Sequence, residues 1–329
     1  MTLISLENYL YNGDTVLKIL HNYAGDLRQN AIANGNPIDL LHCEFLEQIR
    51  DILEHNDFLT SQSQRIREFY KYMAKEYPYL AFTFKGRIKS LLRAEKKYNR
   101  NIVEYIENYY EKNGNYPSIL ELKNRLNCFR DLIAYRIVIS LPKCHVTNDV
   151  DRESQELKLL YDIANRLPGF LSQFGFRPEF SVLMEDNHAS MLDKCAIPYY
   201  RNYITHPGKN NYRSLHITLY DEIAHCYVEL QLRTKEMDDH AEIGTANHLE
   251  YENSQEFTQT VTIPAGECIY YDDAYRRLVS LQQLDLSKVD VNMFTAINNI
   301  LMNDGCGFYR GRQILPYEHL SRFQNDLID

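Results

Sequence analysis

The sequence lacks any long run of apolar residues, and its amino terminus lacks a charged segment followed by an apolar one. A membrane-spanning helix needs about 20 mostly apolar residues in a row, and a signal peptide needs the charged-then-apolar order. We therefore expect neither a membrane span nor a signal peptide, and we expect the chain to work in the cytoplasm. The 7 cysteines are odd in number and have no CxxC spacing. This pattern disfavours both structural zinc and a disulfide framework.

The formal net charge of -9 argues against nonspecific binding along nucleic acid. Affinity for the phosphate backbone comes mainly from Lys and Arg side chains that release counterions. The segment from Lys85 to Arg100 departs from this balance, because it holds seven basic side chains against the single acid Glu95. An acidic protein with such a basic segment is compatible with one local site for an anionic partner.

The hydrophobic pattern predicts helices over residues 1 to about 80 and alternating strands and helices beyond them. Gly and Pro positions give the expected ends: residues 112–115 stop one helix, and Pro168 with Gly169 stops another. The predicted strands are FTFKGRIK, DLIAYRIVIS and residues 178–184. The predicted helices are residues 91–110, 117–127, 154–167, 235–251, 274–284 and 291–302.

Two further strands alternate strictly between apolar and polar side chains. In the second strand one face is apolar and the other carries Glu229, Gln231 and Arg233. The first strand repeats the arrangement, and its polar side chains are Tyr212, Ser214, His216 and Thr218. The short acidic connection between them predicts a hairpin, which would merge the two polar faces into one site floor.

Five short elements occur in a fixed order along the chain. They are GRIK at residues 86–89 with Lys96 and Lys97, Asp131 with Arg136, YRSLH at residues 212–216, ELQLRT at residues 229–234, and the spaced side chains Ala241, Glu242, Gly244, Ala246, His248 and Tyr251. Together they resemble the synthetase domain of the RelA/SpoT family over roughly residues 82–251. Any one element alone would be a weak signal, whereas five in the family's order are specific.

The resemblance implies an α/β fold: a nucleotidyltransferase-like mixed β-sheet flanked by helices, with helical N- and C-terminal extensions. We expect a helical region over residues 1–80, the synthetase domain over 81–255, and a mostly helical extension over 256–329, with regulation as one interpretation. Bifunctional family members carry a hydrolase domain with a metal-binding His-Asp pair, and this sequence has no His-Asp dipeptide. Product hydrolysis is therefore not expected, and the chain resembles small, stand-alone synthetases.

The implied activity is transfer of the β,γ-pyrophosphate of ATP to the ribose 3′-hydroxyl of GDP or GTP. Mg²⁺ is the implied cofactor, because it prefers a few carboxylate oxygens together with phosphate and water. The resemblance assigns the metal to Asp131 and Glu229. Glu229 is also the implied acceptor of the 3′-hydroxyl proton, and Gln231 is expected to orient it.

The resemblance also assigns the residues that bind the two nucleotides. Arg87 and Arg136 would sandwich the adenine of ATP, a role that suits a planar guanidinium. Tyr212 would stack on the acceptor base, since an aromatic ring offers a flat platform. The remaining assignments are Lys89, Lys96 and Lys97 at the triphosphate of ATP, and His216, Asn210 and Arg233 at the acceptor nucleotide.

Some positions depart from the family pattern. Asn211 stands where the family has glycine, and we expect it to keep the turn because asparagine tolerates positive φ. Strict alternation would place Asp131 and Arg136 on opposite strand faces, so both reach one site only if Asp131 precedes the strand or a bulge intervenes. His240, Glu242 and His248 suggest a metal pair on a helix, but we interpret them as packing and supporting groups.

Other functions stay open from the sequence. The same chemistry could act on the 3′ end of tRNA or on adenine nucleotides, in a toxin-like relative gated by the C-terminal extension. A catalytically silent sensor or partner-binding module is a second alternative. The sequence leaves open whether the chain forms a homo-oligomer or binds a regulatory protein.

Overall fold

A computed structural model describes most of the chain up to residue 285 and short pieces beyond it. The described residues are 3–54, 57–126, 130–146, 149–181, 191–208, 211–242, 266–285, 288–289, 308–309 and 312–313. They divide into two compact units, each assembled from separate stretches. The first, here the helical unit, comprises Met1–Asn56, Ile88–Phe129 and Phe257–Asp329; the second, here the sheet unit, comprises Asp57–Arg87 and Arg130–Glu256. These units interleave along the chain, unlike the consecutive regions 1–80, 81–255 and 256–329, whose functional division stays a prediction.

The helices and strands are numbered in chain order. The helices are α1 (Val16–Asn34), α2 (Pro37–Glu54), α3 (Asp57–Glu76), α4 (Leu91–Asn113), α5 (Ile119–Leu126), α6 (Asp149–Ser172), α7 (Lys235–Glu242) and α8 (Ile269–Gln282). The strands are β1 (Ala81–Ile88), β2 (Ile133–Ser140), β3 (Phe176–Pro178), β4 (Tyr200–Asn202), β5 (Leu215–Asp221), β6 (Cys226–Thr234), β7 (Phe308–Tyr309) and β8 (Arg312–Gln313).

The helical unit is held together by buried polar contacts as well as apolar packing. Glu95 on α4 lies 2.7 Å from the His42 imidazole of α2 and accepts a 2.8 Å hydrogen bond from Tyr23 of α1. Arg277 on α8 donates to both carboxylate oxygens of Asp39 at 2.8 and 3.1 Å. Buried charges are tolerated when they are paired in this way. These contacts tie α8, from the C-terminal part of the chain, to α2.

The sheet unit contains a mixed sheet, as expected from the sequence. Its strand order is β1-β2-β6-β5-β3, and β4 pairs with β5. β2 and β6 run parallel, whereas β5 and β6 form the predicted antiparallel hairpin. Gly86 on β1 allows a close approach, because a Cβ there would lie 2.7 Å from the Tyr135 ring of β2. The α/β fold class is therefore confirmed.

The turn of the hairpin is organised by Asp221 at the end of β5. Its Oδ1 accepts hydrogen bonds from the backbone N–H groups of Ile223 and Ala224 at 3.0 and 3.1 Å. The carboxylate is fully buried and also accepts from Arg65 and Gln62 on α3, at 2.6 to 3.0 Å. Burial alone would raise the pKa of Asp221, but these donors lower it below its ordinary value. The turn is thus fixed from within and anchored to α3.

The prediction that Pro168 ends a helix was wrong, because α6 runs on to Ser172. Proline has no N–H to donate to the carbonyl four residues earlier, which here is Ala164. The buried hydroxyl of Tyr200, on β4, donates a 2.8 Å hydrogen bond to that carbonyl instead. A side chain 36 residues from Ala164 therefore replaces the missing backbone donor, and the helix continues.

The predicted strand at residues 178–184 was also misplaced. The structure has a shorter and earlier strand, β3, which pairs with β5 over Phe176 to Pro178. Proline is tolerated there because β3 lies at an edge of the sheet. Residues 182–184 lie outside the described part of the chain.

Most other predicted elements are confirmed. The N-terminal helices are present, α4 ends before Gly114, which adopts φ 68°, and α5 occupies the predicted stretch after Pro117. α7 is described only to Glu242 and α8 covers most of the predicted helix at 274–284, while the predicted helix at 291–302 lies outside the described residues. The C-terminal extension also contains an antiparallel pair, β7 with β8, that was not expected.

None of the described helices combines the length and the apolar composition that a bilayer span requires.

Removing the Tyr200 hydroxyl tests the proline-containing helix. Tyr200→Phe should lower the free energy of unfolding by about 1–3 kcal/mol, because a buried carbonyl loses its donor. In a Pro168→Ala background the same change should cost less, since residue 168 then donates its own N–H. Tyr199→Phe, at the adjacent half-buried tyrosine, is the matched control. Equal losses in both backgrounds by urea denaturation would contradict this explanation of α6.

Acid denaturation tests the anchoring of Asp221. Because its pKa is lower in the fold than in the unfolded chain, Asp221 stabilises the protein fully above about pH 4 and loses that effect as the pH falls through the lowered value. The stability gap between wild type and Asp221→Asn should therefore be wide at neutral pH and narrow in acid. Asp193→Asn, at an exposed carboxylate, should show no such gap. The measurement is urea denaturation between about pH 7 and pH 3.

Candidate functional site

The polar faces of β5 and β6 meet as the sequence predicted. In the antiparallel register His216 lies opposite Gln231, and Thr218 lies opposite Glu229. The other faces of these strands are apolar and fully buried; their residues are Leu215, Ile217, Leu219, Val228, Leu230 and Leu232. One face of the hairpin is therefore core, and the other carries a row of polar groups.

Four side chains on this polar face and Tyr212, which precedes β5, form a closed series of contacts, here called the polar ring. Its members are Tyr212, His216, Glu229, Gln231 and Arg233. Gln231 donates to Glu229 at 2.7 Å, and Arg233 donates to the side-chain amide oxygen Oε1 of Gln231 at 2.9 Å. Arg233 also donates to the Tyr212 hydroxyl, which lies 2.9 Å from His216 Nε2. His216 Nδ1 lies 3.5 Å from Glu229 Oε2 and closes the ring.

Glu229 is an ionised carboxylate although only 7% of it is exposed. Burial alone would raise the pKa of Glu229, but His216, Arg201 and Gln231 hold it well below its ordinary value. Arg201, on β4, makes the closest of these contacts, 2.5 Å from its Nη2 to Glu229 Oε2. A buried charge needs such partners, and Arg201 is the one among them that carries a formal positive charge.

His216 is held in the neutral state. Burial lowers the pKa of His216 below its ordinary value, and the opposing effect of Glu229 does not restore it. A carboxylate only accepts hydrogen bonds, so the Nδ1 that faces Glu229 carries the hydrogen and Nε2 accepts from the Tyr212 hydroxyl. The ring therefore has a consistent direction of donation from Arg233 through Tyr212 and His216 to Glu229.

Asp131 lies two residues before β2, at the strand entrance rather than within the strand. Asp131 therefore precedes the strand, which is the first of the two expected arrangements, and strict alternation does not separate it from Arg136. A shared site for the two residues stays a prediction. Burial alone would lower the pKa of Arg201, but Glu229 and Asp131 contribute to raising it above its ordinary value. The two carboxylates therefore act on the same guanidinium.

Arg136 and Arg233 share a partner that the sequence did not indicate. Arg136 lies opposite Gln231 in the parallel pairing of β2 with β6. Its Nη1 donates to Asp238 Oδ1 at 2.9 Å, and Arg233 Nη1 donates to the same oxygen at 3.2 Å. Asp238, on α7, also accepts from Lys85 of β1 at 3.3 Å. The carboxylate thus joins two predicted nucleotide-binding arginines.

The structure brings together some predicted site residues and does not address others. Asp131, Arg136 and the polar ring all belong to the sheet unit, and Arg87 lies there on β1. Lys89, Lys96 and Lys97 belong to the helical unit, before and on the first turns of α4. Asn210 lies outside the described residues. The roles of Arg87, Asn210 and these three lysines stay predictions.

Asn211 and His240 also bear on predictions made from the sequence. Asn211 adopts φ 59°, so the expectation that it keeps a glycine-like turn is confirmed. Within the described part of the chain, His, Cys, Asp and Glu side chains do not gather in groups of three or more that could hold a metal. The interpretation of His240 and Glu242 as supporting groups stays a prediction, and His248 lies outside the described residues.

Two functional candidates, Arg201 and Asp238, were missed in the sequence. Arg201 sits on a strand of three residues, Tyr200–Asn202, which is too short to show alternation. Asp238 sits among charged helix residues that resemble a solvent-exposed turn. The available signal was an arginine in the tyrosine-rich stretch YYRNY, which precedes the motifs of the hairpin.

The sheet unit is an α/β module. Its mixed sheet buries an ionised carboxylate, Glu229, on the central strand β6. Residues 184–256 match the family model described as the region found in RelA/SpoT proteins. The matched segment includes β4 to α7.

Individual relatives match over a short segment. "GTP pyrophosphokinase rsh" of Brucella ovis is 43% identical over 54 residues, which are 16% of this chain and 7% of that protein. "Probable GTP diphosphokinase RSH2, chloroplastic" of Oryza sativa subsp. japonica is 48% identical over 52 residues, again 16% and 7% of the two chains. The crystal structure of small alarmone synthetase 2 from Bacillus subtilis aligns with 16% identity and a TM-score of 0.33, over 74% of this chain and 97% of that one.

Proposed function

We propose that this chain is a pyrophosphokinase that transfers the β,γ-pyrophosphate of ATP to the ribose 3′-hydroxyl of GDP or GTP. The observation that carries the proposal is the ionised Glu229 in the polar ring, within the segment that matches RelA/SpoT proteins. The matched segments of relatives named GTP pyrophosphokinase support the guanosine acceptor. Those segments cover 7% of such relatives, so the activity rests on the site's chemistry as well.

Glu229 is suited to accept the proton of the attacking hydroxyl. In the transfer, the ribose O3′ forms a bond to the β-phosphorus, the bond from that phosphorus to the oxygen of AMP breaks, and the hydroxyl proton passes to a base. A carboxylate with a low pKa is a weak base in bulk water, but Arg201 and His216 keep it charged and aimed at one place. Gln231 fixes its second oxygen.

The acceptor nucleotide would lie over Tyr212 and beside Arg233. Arg233 stands 5.0 Å from the centre of the Tyr212 ring and donates to its hydroxyl, so the ring is held at an edge and over one face. A ring fixed in this way loses little entropy when a base stacks on it. The acceptor phosphates are assigned to Arg233, whose charge lies beside this ring.

A Mg²⁺ ion fits the donors present. Asp131 and Glu229 are hard oxygen ligands that act on the same guanidinium, Arg201, and Mg²⁺ in phosphoryl-transfer sites takes one or two carboxylates plus phosphate oxygens. When bound, the ion would neutralise charge on the transferred phosphates. Asp131 and Glu229 would hold it, with Arg201 set to exchange its contact for phosphate.

A label-transfer assay tests the function. Purified protein and Mg²⁺ are incubated with ATP labelled in its β and γ phosphates, and GDP, GTP, adenine nucleotides and deacylated tRNA are offered separately. We expect label in a guanosine nucleotide and release of unlabelled AMP. Label in tRNA or adenine nucleotides alone would show the toxin-like alternative and overturn the proposed acceptor. Absence of transfer to all four would favour the silent-module alternative.

Glu229→Gln should abolish turnover while leaving the fold intact. The amide keeps the shape of the side chain but cannot accept the proton or hold a cation, so we expect a fall in kcat of at least about 100-fold. Glu222→Gln, at an exposed position of the same hairpin, is the control and should keep full activity. Folding is checked by circular dichroism and thermal unfolding. A folded Glu229→Gln variant with normal kcat would remove Glu229 from the mechanism.

A further inference from the structure

The carboxylate of Asp238 contacts basic side chains from three strands of the sheet. Asp238 lies in the short helix after β6, and 4% of it is exposed. Lys85 of β1 contacts its Oδ2 at 3.3 Å, while Arg136 of β2 and Arg233 of β6 share its Oδ1 at 2.9 and 3.2 Å. Its neighbour Asp239 is half-exposed and contacts Lys235, four residues earlier on the same helix. The two aspartates therefore differ sharply in what they connect.

The charges around Asp238 explain why one carboxylate serves three cations. Burial alone would raise the pKa of Asp238, but Arg136, Lys85 and Arg233 lower it below its ordinary value. Burial and the nearby Arg136 lower the pKa of Arg233, an effect that Asp238 opposes. Arg136 and Arg233 therefore repel each other, and the shared oxygen of Asp238 is what holds them side by side.

We propose that Asp238 is a positioning residue that couples the two nucleotide subsites. It does so by fixing Arg136, assigned to ATP, and Arg233, assigned to the acceptor, through a single oxygen. The inference rests on the proposed function for those two assignments. It concerns a residue that touches neither nucleotide and acts through the two arginines.

The coupling follows from the geometry of the shared contact. If ATP draws Arg136 away from Oδ1, Arg233 gains a larger share of that oxygen and shifts with it. Arg233 also donates to Tyr212 and Gln231, and Gln231 donates to Glu229. A shift of Arg233 would therefore move the ring proposed to stack on the acceptor base and, through Gln231, the carboxylate of Glu229. Binding at one subsite thereby changes the arrangement at the other, as linkage requires of two coupled sites.

Nucleotide binding by Asp238→Asn tests the proposal. The probes are GDP and an ATP analogue with a methylene group between its α and β phosphorus atoms, which cannot release AMP. By isothermal titration the variant should bind both probes more weakly, each by about tenfold. In wild type, saturation with one probe should change the affinity for the other by at least about fivefold. In Asp238→Asn that coupling factor should fall to about one.

Matched variants separate positioning from a loss of fold. Asp239→Asn, the control, should bind both probes as wild type does. Asp238→Glu keeps the charge and moves it by one methylene, so it should fold, bind both probes and show a reduced coupling factor. A merely structural role would lower the fraction of active protein without changing dissociation constants. If Asp238→Asn does not fold, the coupling factor of Asp238→Glu decides the question.

The outcomes also separate this inference from the proposed function. Wild type that binds both probes but transfers no label would refute the pyrophosphokinase proposal and leave the coupling measurable. Wild type that transfers label while a folded Asp238→Asn keeps both affinities and the coupling factor would overturn the role of Asp238 alone. An Asp238→Glu variant that matches wild type in every dissociation constant and in the coupling factor would overturn that role as well.

Discussion

The ion pair between Arg201 and Glu229 is the contact on which the site depends. A carboxylate buried among strands would ordinarily take up a proton, because the low-polarity interior disfavours charge. His216 and the Arg201 guanidinium, which lies at 2.5 Å, together reverse that preference. The charged Glu229 carboxylate is the acceptor that orients the Gln231 amide and the His216 imidazole. These two groups in turn contact Arg233 and Tyr212, the other members of the polar ring. Arg201, on the short strand β4, thus helps to keep Glu229 ionised on the central strand β6.

The same constraint recurs at three other buried acids in the described part of the chain. Asp221 is held by Arg65, Asp238 by two arginines and a lysine, and Asp39 by Arg277. Each of these acids has at least one partner on an element distant in sequence, although Arg233 lies only five residues before Asp238. Breaking such a pair leaves an uncompensated charge, which costs far more than the pair contributes when intact. The pairs therefore specify which elements can meet, in addition to any net stabilisation.

The sequence was informative where a signal is local. Alternation in β5 and β6 predicted the hairpin and its polar face, because side chains on a strand have a period of two. The positive φ of Asn211 followed from residue type in the same way. Predictions failed where the deciding partner is remote: α6 passes Pro168 because of Tyr200, and no property of residues near 168 reveals that hydroxyl. Arg201 and Asp238 escaped notice for the same reason, since their importance lies in partners on other strands.

The Tyr200 hydroxyl that completes α6 makes the residues tolerated at positions 168 and 200 depend on each other during evolution. A proline at 168 is tolerable only while residue 200 can donate a hydrogen bond to the Ala164 carbonyl. A drift from tyrosine to phenylalanine at 200 would be selected against until proline at 168 had been lost, whereas the reverse order is unobstructed. Among descendants of this chain the two sites should therefore covary, with substitution at 168 preceding substitution at 200. The order of substitution at positions 168 and 200 would therefore record how α6 came to contain a proline.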